Sequence, residues 1–203
     1  MYTRGFSRKF DIEHPRLTYP YISRARSAFL VPIYEVYHTE LFPDSILRTE
    51  SPMDFIENEP YRNGINKVYV SRSIERDIHR GDILVFYRTG GYYKSVISTI
   101  CLVEESVFTF KDEDDFVKAC RKRSVFSEES LREQWRYKPG NRPFIVSMLY
   151  VYSFPKRANL STLIENDIVA GIDDAPRGFK LITSQQFNTI TKITETDESF
   201  IVD

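Results

Sequence analysis

Residues 81–94 constrain the fold more than any other part of the chain. A Gly81-Asp82 turn opens the segment, a wholly apolar stretch at residues 83–86 follows, and the stretch ends in a loop of paired glycines, tyrosines and basic groups. A second apolar run at residues 96–103 comes immediately afterwards, which predicts a β-hairpin with the loop at its tip. Strands that are apolar at nearly every position are typical of strands covered on both faces.

Two interpretations of the hairpin tip are open at this point. In the first, the buried strand delivers Tyr87 and Arg88 to an open rim, where a small barrel builds a pocket for a flat, polar ligand. In the second, the segment is an ordinary hairpin with a glycine turn, and its long side chains lie along the surface. The residues alone favour neither interpretation.

The bulk properties restrict the class of protein. A chain of 203 residues can hold one sizeable core, or one domain with an appended arm. The formal net charge of −1 excludes a global field that would draw the chain to nucleic acid or acidic lipid, so any electrostatic attraction is local. Aromatic residues make up 14%, which is high enough to ask what the tyrosines do.

The two cysteines and the N-terminus indicate the compartment. Cys101 lies in an apolar run and Cys120 lies beside Val117, so both are expected to be buried thiols in a reducing environment. The first ten residues lack the apolar core of a secretory signal, and no apolar run is long enough to span a bilayer. We therefore expect a soluble, cytoplasmic protein.

The pattern of the remaining chain predicts an α+β domain with a mixed, partly closed, barrel-like sheet and short inserted helices. Further strands are predicted at residues 28–33, 67–70, 144–151 and 179–182. Capping and periodicity signals predict helices that begin near residues 51, 73, 112, 127, 161 and 183. We divide the chain into a basic arm at 1–27, the domain at 28–194 and an acidic tail at 195–203.

Several segments resemble a known family. The segment 37–45 (YHTELFPDS), the segment 55–63 (FIENEPYRN) and the strand 67–71 (KVYVS) lead into 81–88 (GDILVFYR). This series resembles the PUA-like module that follows a GNAT-type acetyltransferase domain in some bacterial proteins. That module is similar to the ASCH, EVE and YTH branches of the PUA-like superfamily. The resemblance covers roughly residues 28–190 and implies a PUA-like barrel.

The resemblance does not extend to the acetyltransferase itself. Such an enzyme holds the pyrophosphate of acetyl-CoA on an Arg/Gln-x-x-Gly-x-Gly/Ala loop. Neither Gly90-Gly91 nor Lys138-Pro139-Gly140 has that spacing, and the chain is too short for both domains. No cofactor therefore follows from the sequence, and a separate acetyltransferase chain is one candidate partner.

The resemblance implies that the chain binds RNA or a modified or flipped nucleobase in an aromatic pocket, because PUA-like barrels of the EVE and YTH type do so. An unstacked base regains stacking from aromatic rings, and its polar edge needs directed donors. Trp135 lies four residues after Leu131, a spacing that is more typical of a core residue than of a pocket residue. The predicted pocket residues are Tyr87, Arg88, Thr89, Tyr92, Tyr93, Lys94, Arg123 and Trp135.

A basic cluster with interleaved aromatic residues follows between residues 118 and 142. This composition is typical of a surface that binds the phosphate backbone, although a solvated helical face explains it equally well. The predicted backbone contacts are Lys118, Arg121, Lys122, Arg136 and Arg142.

The alternative class is an enzyme. Some ASCH members are ribonucleases or amidohydrolases that use a lysine or threonine with a carboxylate, and Thr89, Lys94 and Glu104 or Glu105 are the corresponding candidates. No metal site is expected, because the three histidines have no ligand spacing. We expect His38 to hydrogen-bond the turn at Pro43 and Asp44 instead.

Overall fold

The computed structural model describes residues 10–45, 64–90 and 94–203. Its centre is a six-stranded mixed sheet, and a two-stranded sheet lies beside it. The eight strands are β1 (Ile22–Ser23), β2 (Ala28–Tyr34), β3 (Asn66–Ser71), β4 (Ile83–Thr89), β5 (Val96–Val107), β6 (Phe144–Ser153), β7 (Lys180–Ile182) and β8 (Ile201–Val202).

The strand order in the large sheet is β3-β6-β5-β4-β2-β7. The predicted hairpin is confirmed, because β4 and β5 pair antiparallel at the centre of this sheet and Ile83 lies opposite Leu102. Strand β2 pairs parallel with β4 along its whole length, from Ala28 opposite Ile83 to Tyr34 opposite Thr89. The mixed α+β architecture predicted from the sequence is therefore confirmed.

The backbone ladder does not close into a barrel within the described residues. Strand β7 covers only residues 28–30 of β2, so residues 32–34 extend beyond it. The far edge strand β3 nevertheless approaches this part of β2, because the Tyr69 hydroxyl donates a hydrogen bond to the Pro32 carbonyl. A side-chain contact thus joins two strands that no backbone ladder joins, and we call the gap between β2 and β3 the seam.

Within the described residues, five α-helices are inserted between the strands: α1 (Glu35–Leu41), α2 (Glu113–Cys120), α3 (Glu128–Arg136), α4 (Leu160–Glu165) and α5 (Ser184–Ile193). The predicted capping box of α5 is confirmed, with Thr183 and Gln186 bonding each other's backbone N–H groups. The helix predicted at residues 73–79 is wrong, because no helix forms there; Ile78 is buried while Ile74 is 95% exposed. The helix predicted at residue 51 lies outside the described residues.

Each face of the large sheet carries its own core. On one face, helices α4 and α5 pack with Leu163, Phe187 and Ile190 against the inner strands. On the other face, Phe42, Phe86, Phe144 and Phe179 form an aromatic cluster under α1. Both faces are covered, which explains why strands β4 and β5 are apolar at almost every position.

The two ends of the described chain meet. Strand β1, in the segment predicted as a basic arm, pairs parallel with β8, in the segment predicted as an acidic tail. Phe10 packs against the core, and its ring lies close to Gly81. The domain limits drawn from the sequence stay a prediction. Among the described residues, no helix has the length and apolarity needed to cross a membrane.

Candidate functional site

A cleft of about 710 Å³ lies along the seam. Its floor is formed by the end of β2 and by β3, and its sides by α1, the segment before α3 and the segment before β7. The cleft exists because β7 is short: past Leu30 the edge of β2 has no strand beside it on that side within the described residues. Volumes of this size are typical of ligand pockets.

One wall of the cleft is aromatic. Tyr34 ends β2, Tyr37 lies one turn later in α1, and Phe126 approaches from the segment before α3. The Tyr34 and Tyr37 ring centroids are 6.3 Å apart, and those of Tyr37 and Phe126 are 4.8 Å apart, both in edge-to-face geometry. Tyr34 is 71% exposed, so this ring is available to a ligand rather than consumed by the core.

Polar groups line the same cleft as the rings. Arg72, Gln134 and Arg177 all line it, and Arg177 is exposed. The Nη1 group of Arg72 donates to the Asn141 carbonyl, whereas the buried Nη2 group has no hydrogen-bond partner in the described structure. Burial lowers the pKa of Arg72, yet an arginine stays charged at neutral pH. Arg72 therefore keeps its positive charge beside the cleft, which favours an anionic or carbonyl oxygen there.

A close contact fixes the position of the Arg177 segment. The Ser73 hydroxyl accepts a hydrogen bond of 3.2 Å from the Phe179 N–H. The backbone of Gly178 approaches Ser73 so closely that a Cβ at residue 178 would lie 2.6 Å from its hydroxyl oxygen. Ser73 follows β3 and Phe179 precedes β7, so this contact joins the segments next to the two outermost strands.

The described hairpin-tip residues predicted to form the pocket do not come together in the cleft. Tyr87 is only 2% exposed and packs in the core under α4 and α5, where burial raises the pKa of its hydroxyl. Arg88 is also 2% exposed and pairs with Glu35 at 2.5 Å. Of this group, Thr89 lines the cleft. Lys94 is exposed, while Tyr92 and Tyr93 lie outside the described residues.

Trp135 packs against other side chains and does not line the cleft. Its ring stacks on Phe116 with centroids 5.4 Å apart, and the Arg142 guanidinium lies 4.7 Å from its centroid on another side. Arg123 lies elsewhere, in a small crevice with Lys122 that shares Leu41 and Val125 with the cleft. The structure therefore places Arg123 beside the cleft and Trp135 between α2 and α3.

The predicted basic cluster divides into two kinds of residue. Arg136 forms an ion pair of 2.8 Å with Glu113, and Arg132 pairs with the same carboxylate at 2.9 Å. These hydrogen bonds lower the pKa of Glu113. Lys118, Arg121 and Lys122 are exposed near the end of α2. Sequence reasoning missed the pairing because the acids that oppose α3 come from the preceding helix.

The residues suggested for a hydrolase are far apart. Lys94 precedes the first residue of β5, whereas Glu104 and Glu105 lie near its other end. Ten residues of strand span on the order of 30 Å. Glu104 also pairs with Arg16. Thr89, Lys94 and these carboxylates therefore form no joint site.

The prediction for His38 is wrong. Its Nε2 atom makes a 2.7 Å hydrogen bond with the Ser98 hydroxyl in the core and not with the turn at residues 43–44. Burial lowers the pKa of His38 to about 3, and the positive charges of Arg88 and Arg157 act in the same direction. In the described part of the chain, no group of three His, Cys, Asp or Glu residues could hold a metal ion.

One sequence signal could have identified some of the cleft residues that the sequence analysis missed. Tyr34 follows a buried strand and Tyr37 follows it by one helical turn, so both rings leave the core at the same point. No sequence signal brings Phe126, Arg72 or Arg177 to those rings, because they meet only when the two edges of the sheet approach each other.

The fold is that of the PUA-like ASCH proteins. The chain superposes on the crystal structure of ASCH from Zymomonas mobilis with a TM-score of 0.60 and 11% identity, covering 86% of this chain and 98% of that chain. A mutant of the same protein gives a TM-score of 0.57 and 12% identity, covering 83% of this chain and 96% of that one. The predicted PUA-like fold is therefore confirmed, whereas the association with an acetyltransferase is not shown.

A weaker likeness is to human thymocyte nuclear protein 1 (THYN1), solved in complex with DNA that contains 5-methylcytosine. The TM-score is 0.45 and the identity 12%, over 84% of this chain and 99% of that chain. A likeness at this level carries no inference about what this chain binds. No protein-family model matches the sequence, and no curated protein matches it.

Proposed function

We propose that this protein binds nucleic acid by stacking unpaired bases on the ring wall of the seam cleft. The observation that carries the proposal is that Tyr34, Tyr37 and Phe126 line the same cleft as Arg72 and Arg177. Fold alone decides no function, so the argument rests on this geometry.

The chemistry of the cleft fits a base better than a purely apolar ligand. Aromatic faces bind the π-system of any base, and each stacking contact contributes about 1–3 kcal/mol. Arg72 and Arg177, which line the cleft, supply positive charge for a base carbonyl or a phosphate oxygen.

The proposal moves the base-binding site away from the hairpin tip. The rings of Tyr34 and Tyr37 replace Tyr87, which the core buries, and Arg72 replaces Arg88, which pairs with Glu35. RNA and a modified or flipped-out base stay candidate ligands, because stacking is available to every base.

The experiment is a binding titration of fluorescein-labelled single-stranded RNA and DNA, read by fluorescence anisotropy. Tyr37→Ala is expected to weaken binding about 5- to 150-fold, which corresponds to about 1–3 kcal/mol. Tyr37→Phe keeps the ring and is expected to bind within twofold of the wild type. Leu181→Ala truncates an apolar side chain that is 60% exposed outside the cleft, and it serves as the control.

A second variant protects the test against misfolding. Tyr34→Ala removes a ring that is largely exposed, so its effect on stability is expected to be small. Wild-type affinity in both Tyr34→Ala and Tyr37→Ala would overturn the proposal.

A further inference from the structure

Four cations form one cluster beside the cleft. Arg72 and Arg76 follow β3, while Lys138 and Arg142 lie between α3 and β6. Asn141 joins them: its carbonyl accepts from Arg72 and its side-chain oxygen accepts from Arg76 at 3.1 Å. The Arg142 carbonyl accepts a further hydrogen bond of 3.3 Å from Arg76. We call these four residues the cation ladder.

Aromatic rings hold the charged groups of the ladder. Tyr137 is 60% exposed and lies between two of them, with Arg72 at 5.4 Å and Lys138 at 5.2 Å from its ring centroid. Arg76 lies 4.7 Å from the centroid of Phe144. Cation–π contacts of this kind orient a cation without neutralising its charge.

The ladder cations differ from the other arginines near α3 in the groups that balance their positive charge. Among the described residues, no carboxylate forms an ion pair with any of the four ladder cations, whereas Arg132 and Arg136 both pair with Glu113. The carbonyl oxygens and rings that contact the ladder cations carry no net negative charge. About four positive charges are thus concentrated on this patch, in a protein whose formal net charge is −1.

We propose that the cation ladder is the surface that binds the phosphate backbone of a single strand whose bases enter the seam cleft. Arg72 belongs to both, because it lines the cleft and contacts Asn141 and Tyr137 in the ladder. A strand leaving the cleft past Arg72 meets Arg76, Lys138 and Arg142 next. The path of the strand in this inference rests on the proposed function. The attraction of the phosphates rests only on the ladder's own charge.

The salt dependence of binding tests the ladder. For single strands the slope of log affinity against log salt is about −0.7 per phosphate contact. Arg76→Gln/Lys138→Gln is therefore expected to make the slope for a labelled 20-mer of thymidine shallower by about 1.4 between 50 and 200 mM NaCl. The matched control is Arg132→Gln/Arg136→Gln, which removes the same net charge from ion-paired positions and is expected to leave the slope within about 0.3 of the wild type.

A second probe separates this inference from the proposed function. Inorganic polyphosphate has the charge of a nucleic acid backbone and no bases, so the ladder should bind it without help from the cleft. Loss of polyphosphate binding in Arg76→Gln/Lys138→Gln, with Tyr37→Ala unaffected, supports the ladder even if the cleft fails to bind bases. Lys138→Gln alone, at an exposed position, repeats the test should the double variant misfold.

Two outcomes would overturn the inference. Equal changes of slope in the ladder pair and in the control pair would mean that only overall charge matters. An unchanged slope in the folded ladder pair, together with unchanged polyphosphate binding, would place the backbone contacts elsewhere, for example at Lys118, Arg121 and Lys122.

Discussion

The hydroxyl of Tyr69 donates a hydrogen bond to the carbonyl of Pro32 and thereby joins β3 to β2 across the seam. Pro32 has no strand beside it on the β7 side within the described residues, and a proline has no N–H to offer a ladder. The seam is therefore held by side chains, and the space that a further strand would occupy becomes the cleft. The candidate site is a consequence of an incompletely closed sheet.

Removal of this hydrogen bond should weaken the seam. Tyr69→Phe keeps the ring but leaves the Pro32 carbonyl without this donor, so the free energy of unfolding is expected to fall by about 1 kcal/mol. Urea denaturation measures the change. Tyr137→Phe, which alters an exposed hydroxyl, is the control and should stay within about 0.5 kcal/mol of the wild type. Equal stabilities of Tyr69→Phe and the control would show that the bond contributes nothing to closure.

The close contact with Ser73 should require a glycine at residue 178. A Cβ at this position would lie 2.6 Å from the Ser73 hydroxyl, so Gly178→Ala is expected to cost about 1–3 kcal/mol of stability. Gly140→Ala is the control, because nothing lies within 4 Å of its added Cβ. In the Ser73→Ala background the extra cost of Gly178→Ala should shrink. An unchanged cost in that background, measured by a double-mutant cycle, would refute the contact as its cause.

Arg88 should act on stability and not on ligand binding. Its buried guanidinium pairs with Glu35, and Arg88→Met is expected to lower the free energy of unfolding by about 2 kcal/mol. Folded Arg88→Met protein should bind oligonucleotides within twofold of the wild type, since Arg88 does not line the cleft. Lost binding with full stability would return Arg88 to the ligand site, as the sequence suggested.

His38 should make the fold sensitive to mild acid. Its pKa is about 3 in the folded protein and about 6.5 in an unfolded chain. Between these values the unfolded state binds one more proton, so the free energy of unfolding falls as the pH drops below about 6.5. The loss is at most about 1.4 kcal/mol per pH unit, or about 2 kcal/mol at pH 5.

The measurement is urea denaturation at pH 7 and pH 5. His38→Gln should flatten the difference between the two values, whatever its absolute stability, because no buried imidazole is left to protonate at this position. His79→Gln changes an exposed histidine and should keep the wild-type difference. A His38→Gln protein with the full wild-type pH dependence would contradict the assignment.

Local signals in the sequence predicted much of the fold. The apolar pattern of β4 and β5 predicted the central hairpin, and Thr183 with Gln186 predicted the start of α5. The parallel pairing of β2 with β4 was not predicted, because no residue of β2 encodes its partner. The helix at residues 73–79 was predicted from the spacing of two isoleucines, but Ile74 contacts solvent and only Ile78 reaches the core.

The candidate site was harder to predict because it is non-local. Rings and guanidinium groups, the residue types that the sequence suggested for a pocket, also line the cleft. Their identities were not predicted, because burial decides which of them face solvent: Tyr87 is buried in the core under α4 and α5, whereas Tyr34 lies where the sheet ends. Charge counts along the sequence likewise missed that Glu113 neutralises Arg136 while Arg76 has no such partner in the described structure.

The most direct test of the central claim is photocrosslinking of a single-stranded oligonucleotide that carries 4-thiothymidine, followed by mass spectrometry of the adducts. We predict adducts at Tyr34, Tyr37 or Phe126, and their loss when unlabelled oligonucleotide competes. Adducts confined to the hairpin tip at Tyr92 or Tyr93, or to surfaces away from the cleft, would contradict base binding at the seam.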